Sequence, residues 1–164
     1  MEVKNKARKD LIIEIEGISD KEINRRIATD TWSIGQVLEH LYYIEKAFIK
    51  MITRQLESGE DVFAKEQPIQ LTVDRSYKVP SPEFAIPSPE DKKLDTLIKQ
   101  LNSSHQILAD LIHQTEPEQL ISRGIPHPIF GNLSLKQTID FLGYHEMRHI
   151  EQIKEIKHAL GVTK

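Results

Sequence analysis

Three histidines, His40, His145 and His149, have the residue type and spacing best suited to chemistry in this chain. His145 and His149 lie four residues apart, so a helix places both on one face with Cβ atoms about 5–6 Å apart. Two imidazoles in that arrangement can bind one ion through bonds of about 2 Å. Both occupy aliphatic positions of an apolar stripe, where unpaired imidazoles would be costly to bury. The pattern therefore predicts a divalent metal site.

His40 supplies the third imidazole from a distant segment that has its own apolar stripe. A single histidine in such a stripe is more often a hydrogen-bonded core residue than a ligand. The trio of His40, His145 and His149 is different, because all three side chains can face the same interior. We predict that these three bind the metal, and we keep His105, which lies near a third apolar stripe, as a reserve ligand.

Two further residues are candidates for roles beside the metal. Glu146 is the nearest candidate for a general base or for a partner of a metal ligand. Its position directly after His145 can turn it away from the ion, so a solvated helix charge is an equal alternative. His127 is held between Pro126 and Pro128. We predict that it lies on a rim loop, as a candidate substrate-binding residue.

The stretch from His145 to His149 also matches the zinc-protease pattern H-E-x-x-H, in which the glutamate is the general base. Only a short segment follows His149, which leaves little chain for a downstream third ligand. Gln152 and Glu155 stand where the extended protease pattern has glycine and histidine. The sequence therefore disfavours a protease.

Composition limits the classes of function. The chain has 164 residues, 38% hydrophobic and 29% charged, with a net charge of -3 and no cysteine. This length and balance predict one globular domain over residues 1–164. No basic stripe is present, so a nucleic-acid partner is not expected. No apolar run reaches about 18 residues, so no membrane span is expected and the default compartment is the cytoplasm.

Apolar residues at helical spacing predict four helices and no strand. The first covers about residues 3–16, and the second begins after a capping box at Ser33 and ends near Ser58. The third opens at Ser88, as an N-cap before Pro89, and the last begins at Ser134 and ends near residue 160. The long connection over residues 59–87 is expected to be a lid, a packed crossover or a mobile excursion. The predicted class is an all-α four-helix bundle with long crossover loops.

Two motifs support a family resemblance. The first is Trp32-Ser33-Ile34-Gly35-Gln36-Val37-Leu38-Glu39-His40-Leu41. The second is Phe130-Gly131-Asn132-Leu133-Ser134, which leads to Tyr144-His145-Glu146-Met147-Arg148-His149-Ile150-Glu151-Gln152-Ile153. Both resemble the DinB-like (YfiT-like) family of metal-dependent enzymes. The resemblance implies a four-helix bundle whose metal ligands match His40, His145 and His149. It also implies zinc or nickel as the ion. The central loops do not match, so the substrate is not implied.

The resemblance leaves three functions open. Family members with known chemistry include thiol S-transferases that use bacillithiol or mycothiol and a thiol-dependent isomerase, while many others are described only as hydrolases. We favour a low-molecular-weight-thiol (bacillithiol-type) S-transferase, since three protein ligands leave a coordination position open and the chain has no cysteine of its own. The alternatives are a hydrolase that uses metal-bound hydroxide and a non-catalytic metal-binding module related to stress. The expected partners are a small-molecule substrate and the thiol, and a homodimer is left open.

Overall fold

Four long helices form the bundle in the computed structural model, which describes residues 1–163. The helices and strands are α1 (Glu2–Ile15), α2 (Asp20–Ile23), α3 (Ile34–Ser58), α4 (Leu94–His113), α5 (Pro117–Ser122), β1 (Gly124–His127), β2 (Gly131–Ser134) and α6 (Leu135–Leu160). The long helices are α1, α3, α4 and α6, as the sequence predicts. Within residues 1–163, no helix combines the length and the apolar character needed to cross a membrane.

The helices that carry the three histidines begin at predicted caps. The Ser33 hydroxyl accepts a hydrogen bond from the Gln36 backbone N–H, and the Gln36 side-chain oxygen accepts one from the Ser33 backbone N–H, which completes the capping box at the start of α3. Ser134 caps α6 by accepting from the Gln137 backbone. The reciprocal bond is absent there, because the Gln137 side chain donates to the Gln67 carbonyl at 3.2 Å.

The predicted start of the third long helix is wrong. Helix α4 begins at Leu94 and has no side-chain cap. Ser88 does not act as an N-cap, because its backbone N–H donates to the Glu39 carboxylate of α3 at 2.7 Å. The Ser88 hydroxyl and carbonyl accept from Lys92. These contacts hold the segment before α4 against α3, so the helix begins only at Leu94.

The prediction that the chain has no strand is also wrong. Strands β1 and β2 pair as an antiparallel hairpin in which Gly124 faces Ser134 and His127 faces Gly131. Each strand has four residues, too few for alternation to stand out in a sequence that also contains Pro126. The hairpin leads directly into α6.

The segment between α3 and α4 is a packed crossover, one of the three alternatives for this connection. It contains two short 3₁₀ helices, Ile69–Val73 and Glu83–Ala85. Ile69 and Ala85 are buried in the bundle. The crossover is therefore anchored at two points, even though its proline-rich sequence excludes a long helix.

The buried apolar residues form two clusters rather than one continuous core. One cluster surrounds Leu38, Leu101 and Ile153, and the other surrounds Phe48 and Leu108. The order of these residues along α3, α4 and α6 places a buried polar layer between the clusters. This layer contains the charged residues Lys4, Arg8, Glu45 and Glu146, together with Ser104, His40 and His149.

Two cations and two carboxylates form an ion network in this layer. Lys4 and Arg8 of α1 contact both Glu45 of α3 and Glu146 of α6, with Lys4 Nζ 2.6 Å from Glu45 and Arg8 Nε 2.6 Å from Glu146. Arg8 also donates to the Leu101 carbonyl of α4. Burial alone would raise the pKa of Glu45, but Lys4 and Arg8 outweigh this effect and lower it. The network thus joins all four long helices.

Gly143 allows α1 to approach α6 closely enough for these ion pairs. A Cβ atom at Gly143 would lie 2.8 Å from a side-chain carbon of Val3 and 2.9 Å from the Lys4 backbone nitrogen. Both distances are shorter than van der Waals contact, and one involves backbone that cannot rotate away. Glycine at this position therefore brings Lys4 within reach of Glu146, less than one turn further along α6.

We predict that Lys4→Met lowers the free energy of unfolding by about 3–5 kcal/mol, because it leaves two buried carboxylates with one cation. Lys6→Met is the matched control on the same helix, since Lys6 is 68% exposed in its pair with Asp10. The control should cost less than about 1 kcal/mol. Urea unfolding of both variants measures the difference, and equal losses would contradict the role of the network.

Candidate metal centre

The three predicted histidines converge between α3 and α6. His40 lies on α3 and is buried, His149 lies on α6 and is buried, and His145, one turn earlier on α6, keeps partial solvent exposure. The ring centroids are separated by 4.6 to 5.3 Å. One nitrogen from each ring can be chosen so that all three atoms lie within 4.8 Å of one another. The tertiary structure therefore brings together residues that are about a hundred positions apart in sequence.

Hydrogen bonds on the far side of two rings determine which nitrogen is free. His40 Nδ1 lies 2.9 Å from the Ala85 carbonyl oxygen, which can only accept, so Nδ1 carries the proton. His149 Nδ1 lies 2.7 Å from Gln152 Oε1 and is protonated for the same reason. The neutral rings therefore keep an unprotonated Nε2, the atom that binds a metal.

The spacing of these nitrogens fits a shared ion. His145 Nε2 and His149 Nε2 lie 3.2 Å apart, and two nitrogens at about 2.1 Å from a tetrahedral metal lie about 3.4 Å apart. The widest separation, up to 4.8 Å, exceeds that tetrahedral spacing by about 1.4 Å, so the rings must move closer together to share one ion. The three side chains present here therefore fit a divalent cation, and in residues 1–163 no carboxylate joins this group.

Burial keeps all three imidazoles neutral. It lowers the pKa of His40, against a smaller opposing effect of the bond to Ala85. Burial followed by His40 lowers the pKa of His149 to about 3. Burial, then His149 and His40, holds the pKa of His145 well below its usual value. Neutral imidazoles are ready to bind a cation without first losing a proton.

Aromatic side chains surround the three histidines. The Trp32 ring lies 5.0 Å from His40, and the Phe141 ring lies 5.8 Å from His145. Trp32 is partly buried against one of the apolar clusters. The walls beside the imidazoles are thus apolar, which strengthens electrostatic interactions within the site.

The crossover between α3 and α4 contacts both helices that carry the histidines. Arg148, next to His149, donates to the backbone carbonyls of Thr72 at 3.2 Å, Asp74 and Tyr77 at 2.5 Å. Further along the same crossover, Ala85 accepts the His40 bond. Arg148 on α6 therefore helps to place the segment that orients the histidine on α3.

Sequence reasoning missed these supporting residues. Gln152 could have been found, because it lies three residues after His149 on the same helical face. Ala85 could not have been found, since its contribution is a backbone carbonyl placed by the fold of the crossover. Arg148 carries no pattern in the sequence that would indicate binding to three carbonyls.

The reserve ligand His105 lies elsewhere. It is partly buried on α4 beside the ion network, and its Nδ1 is enclosed without a hydrogen-bond partner. Burial, then Lys4 and Arg8, lowers its pKa to about 4. His105 does not join the three converging histidines.

The expectation that Glu146 is a solvated charge is wrong, because Glu146 is 2% exposed. Its carboxylate bonds to Lys4 and Arg8 of α1. The alternative role as a general base stays a prediction, but both of its oxygens are already paired with cations. This geometry is that of a structural ion pair.

The predicted rim-loop position of His127 is also wrong. His127 is the last residue of β1 and is 7% exposed. The hairpin turns its ring inward, where it packs 4.4 Å from the Phe141 ring. Phe141 in turn lies beside His145, so His127 borders the same aromatic wall as the metal centre.

Comparisons with known proteins agree with this fold. YfiT from Bacillus subtilis, described as a probable metal-dependent hydrolase with an unusual four-helix bundle topology, superposes with a TM-score of 0.66 at 16% identity, over 99% of this chain and 86% of that chain. The four-helix bundle protein TT2238 gives 0.63 at 15% identity over 94% of both chains. These likenesses establish the fold class, a four-helix bundle.

The sequence comparisons then establish the family. The DinB superfamily profile matches residues 5–153, so the chain belongs to the DinB superfamily. The uncharacterized protein YuaE of Bacillus subtilis (strain 168) is 31% identical over 160 residues, covering 98% of each chain. The protein named "Putative metal-dependent hydrolase OB0413" of Oceanobacillus iheyensis is 24% identical over 140 residues, which cover 85% of this chain and 73% of that protein.

We predict that Arg148→Gln loosens the crossover, because a shorter neutral side chain cannot bond to three carbonyls. Amide hydrogen exchange should become faster over residues 69–85 and stay unchanged in α4. Arg54→Gln, at an exposed position of α3, is the control and should leave both segments unchanged. Unchanged exchange over residues 69–85 in Arg148→Gln would contradict this role.

We also predict an acid-dependent effect of His105. Its pKa is lowered in the folded chain to about 4, so between about pH 6.5 and 4 the unfolded chain binds a proton that the folded chain does not. Above about pH 6.5, His105 is neutral in both states and does not lower the free energy of unfolding. As the pH falls from about 6.5 to 4, protonation of His105 in the unfolded chain lowers the free energy of unfolding.

His105→Gln should therefore gain stability relative to wild type as metal-free protein is acidified through this range. His113→Gln, at an exposed position of the same helix, should not. Urea unfolding at several pH values provides the measurement, and parallel curves for wild type and His105→Gln would refute the linkage.

Proposed function

We propose that this protein is a metal-dependent transferase that joins a low-molecular-weight thiol, of the bacillithiol type, to an electrophile, with zinc or nickel held by His40, His145 and His149. The observation that carries the proposal is the convergence of three neutral imidazoles whose partners direct Nε2 of His40 and His149 toward a common point. His145 keeps partial solvent exposure, so the group is not fully enclosed by protein. A closed structural site would require a fourth protein ligand instead.

The protein's own residues hold and orient the ion. Three neutral ligands leave its double positive charge uncompensated, since Glu146, which follows His145 in sequence, is paired with Lys4 and Arg8. A divalent ion in that environment lowers the pKa of a thiol or water that binds to it. The apolar walls at Trp32 and Phe141 limit the competing solvation of the bound group.

Two features favour a thiol as the nucleophile. The chain has no cysteine, so sulfur chemistry requires a thiol from solution. Hydrolysis usually also uses a positioned general base, and the one candidate, Glu146, is engaged in the ion network. A thiol needs less assistance, because its usual pKa of about 8.5 is already close to neutral.

A hydrolase is the second candidate, and the relatives favour it. OB0413 carries the name of a metal-dependent hydrolase, and YfiT is described as a probable one. The same three imidazoles would serve a hydrolase equally well, because water and thiol compete for the same open coordination position. The two functions therefore share the metal centre and differ in the nucleophile.

We predict about one divalent ion per chain after loading with zinc or nickel, and a rise in melting temperature that chelation reverses. His40→Ala should lose the ion as completely as His149→Ala, even though the two residues lie on different helices. His113→Ala, at an exposed position away from the site, is the control and should retain it. Elemental analysis after gel filtration measures the content, and wild-type metal content in His40→Ala would show that His40 is only a core residue.

We further predict that cobalt-loaded protein develops sulfur-to-metal charge-transfer absorption when bacillithiol is added. Product formation from thiol and electrophile should stop on chelation, because the thiol pKa then returns toward about 8.5. Absence of the absorption, together with ester hydrolysis at the same rate with and without thiol, would favour the hydrolase. Absence of both activities in metal-loaded protein would favour a non-catalytic module.

A further inference from the structure

His127 differs from the metal-site histidines in the nitrogen that carries its proton. The backbone N–H groups of Ile129 and Phe130 donate to His127 Nδ1 at 3.2 and 3.3 Å. An Nδ1 that accepts hydrogen bonds is unprotonated, so the neutral ring carries its proton on Nε2. His40 and His149 have the opposite tautomer. His127 is therefore a hydrogen-bond donor at Nε2 rather than a metal ligand.

The hairpin turn fixes this tautomer. Both donors lie in the turn between β1 and β2, two and three residues after His127. Burial lowers the pKa of His127 to about 4, so the ring stays neutral at physiological pH. Protonation at Nδ1 would also break both backbone bonds.

The Nε2 proton has no hydrogen-bond partner among residues 1–163, yet the atom is not fully enclosed. The faces and edges of the ring are surrounded by aromatic side chains, with Phe141 at 4.4 Å, Phe130 at 5.1 Å and Phe48 at 6.5 Å. A donor in apolar surroundings is costly unless an acceptor meets it. Because this Nε2–H is not fully enclosed, it can donate to an acceptor atom of a ligand that reaches it.

The same aromatic wall connects His127 to the metal centre. Phe141 lies one turn before His145 on α6, and its ring is 5.8 Å from the His145 ring. Phe141 is 6% exposed, so a ligand that reaches His127 can touch only a small part of this ring, on the wall shared with His145. Aromatic rings favour an apolar or aromatic ligand body through offset or edge contacts.

We propose that His127 Nε2 donates a hydrogen bond to an oxygen acceptor of the electrophilic substrate, whose aromatic or apolar body packs against Phe141. The proposal deepens the proposed function by naming the substrate class, an aromatic or apolar electrophile that carries a carbonyl or ether oxygen. His127 determines specificity by binding that oxygen, and it transfers no proton, since a neutral imidazole keeps its Nε2 proton near neutral pH and protonation at Nδ1 would break the turn bonds.

The test compares acetophenone with ethylbenzene, which has a similar shape but no oxygen. Binding to zinc-loaded protein is measured by ligand-observed NMR, and the ¹⁵N resonance of His127 Nε2 reports whether the ligand reaches this ring. His127→Asn is the critical variant, because its side-chain oxygen can still accept from the turn amides while the Nε2 donor is removed. His127→Gln is the complementary variant, which places an amide donor near the Nε2 position but loses the turn acceptor.

Wild type should bind acetophenone at least tenfold more tightly than ethylbenzene, and the His127 Nε2 resonance should shift only with acetophenone. The preference should disappear in His127→Asn, whose melting temperature and zinc content should match wild type. Any preference that persists in His127→Gln adds support.

Equal binding of the two probes to wild type, including no binding of either, would overturn the proposal. An unchanged preference in His127→Asn would also overturn it and leave His127 as a turn residue. If His127→Asn fails to fold, the Nε2 resonance of wild type decides the question. These outcomes are independent of thiol charge-transfer absorption, so failure of the transferase reaction is distinguishable from failure of the His127 subsite.

Discussion

The buried ion network is the interaction on which the rest of this structure depends. Lys4 and Arg8 of α1 satisfy Glu45 and Glu146, which are nearly fully buried on α3 and α6. Each carboxylate would be very costly in the interior without its cations. Sliding one helix along another by one turn would break these pairs, so the network specifies the register of α3 against α6. Glu45 lies five residues after His40, and Glu146 lies between His145 and His149, so the same register sets the relative positions of the three histidines.

A polar layer between two apolar clusters gives the bundle two different buried environments. On one side of α6, Glu146 meets cations and remains charged. On the other side, His145 and His149 face imidazoles and aromatic rings, Gln152 bonds to His149, and burial keeps both histidines neutral. Neighbouring residues on one helix thus have opposite electrostatic roles. This separation explains why a glutamate within an H-E-x-x-H pattern does not face the candidate metal.

The sequence predicts the features that depend on periodicity and local chemistry. Helical spacing and the capping box at Ser33 identify the long helices, and two apolar stripes interrupted by histidine identify His40, His145 and His149 as one group. Features that depend on tertiary contacts could not be predicted. Ser88 bonds to Glu39 instead of capping a helix, and the hairpin that turns His127 inward is too short to show a strand pattern. The burial of Glu146 required knowledge of Lys4 and Arg8, which lie more than a hundred residues away on α1.

The central claim is that one ion bridges α3 and α6 through three imidazoles. X-ray absorption at the zinc edge of zinc-loaded protein tests this claim most directly, because it reports the type and distance of the ligands. We expect three imidazole nitrogens at about 2.0–2.1 Å, with a light atom from solvent in the remaining position. A spectrum with fewer than three imidazoles, or one dominated by carboxylate oxygens, would contradict it.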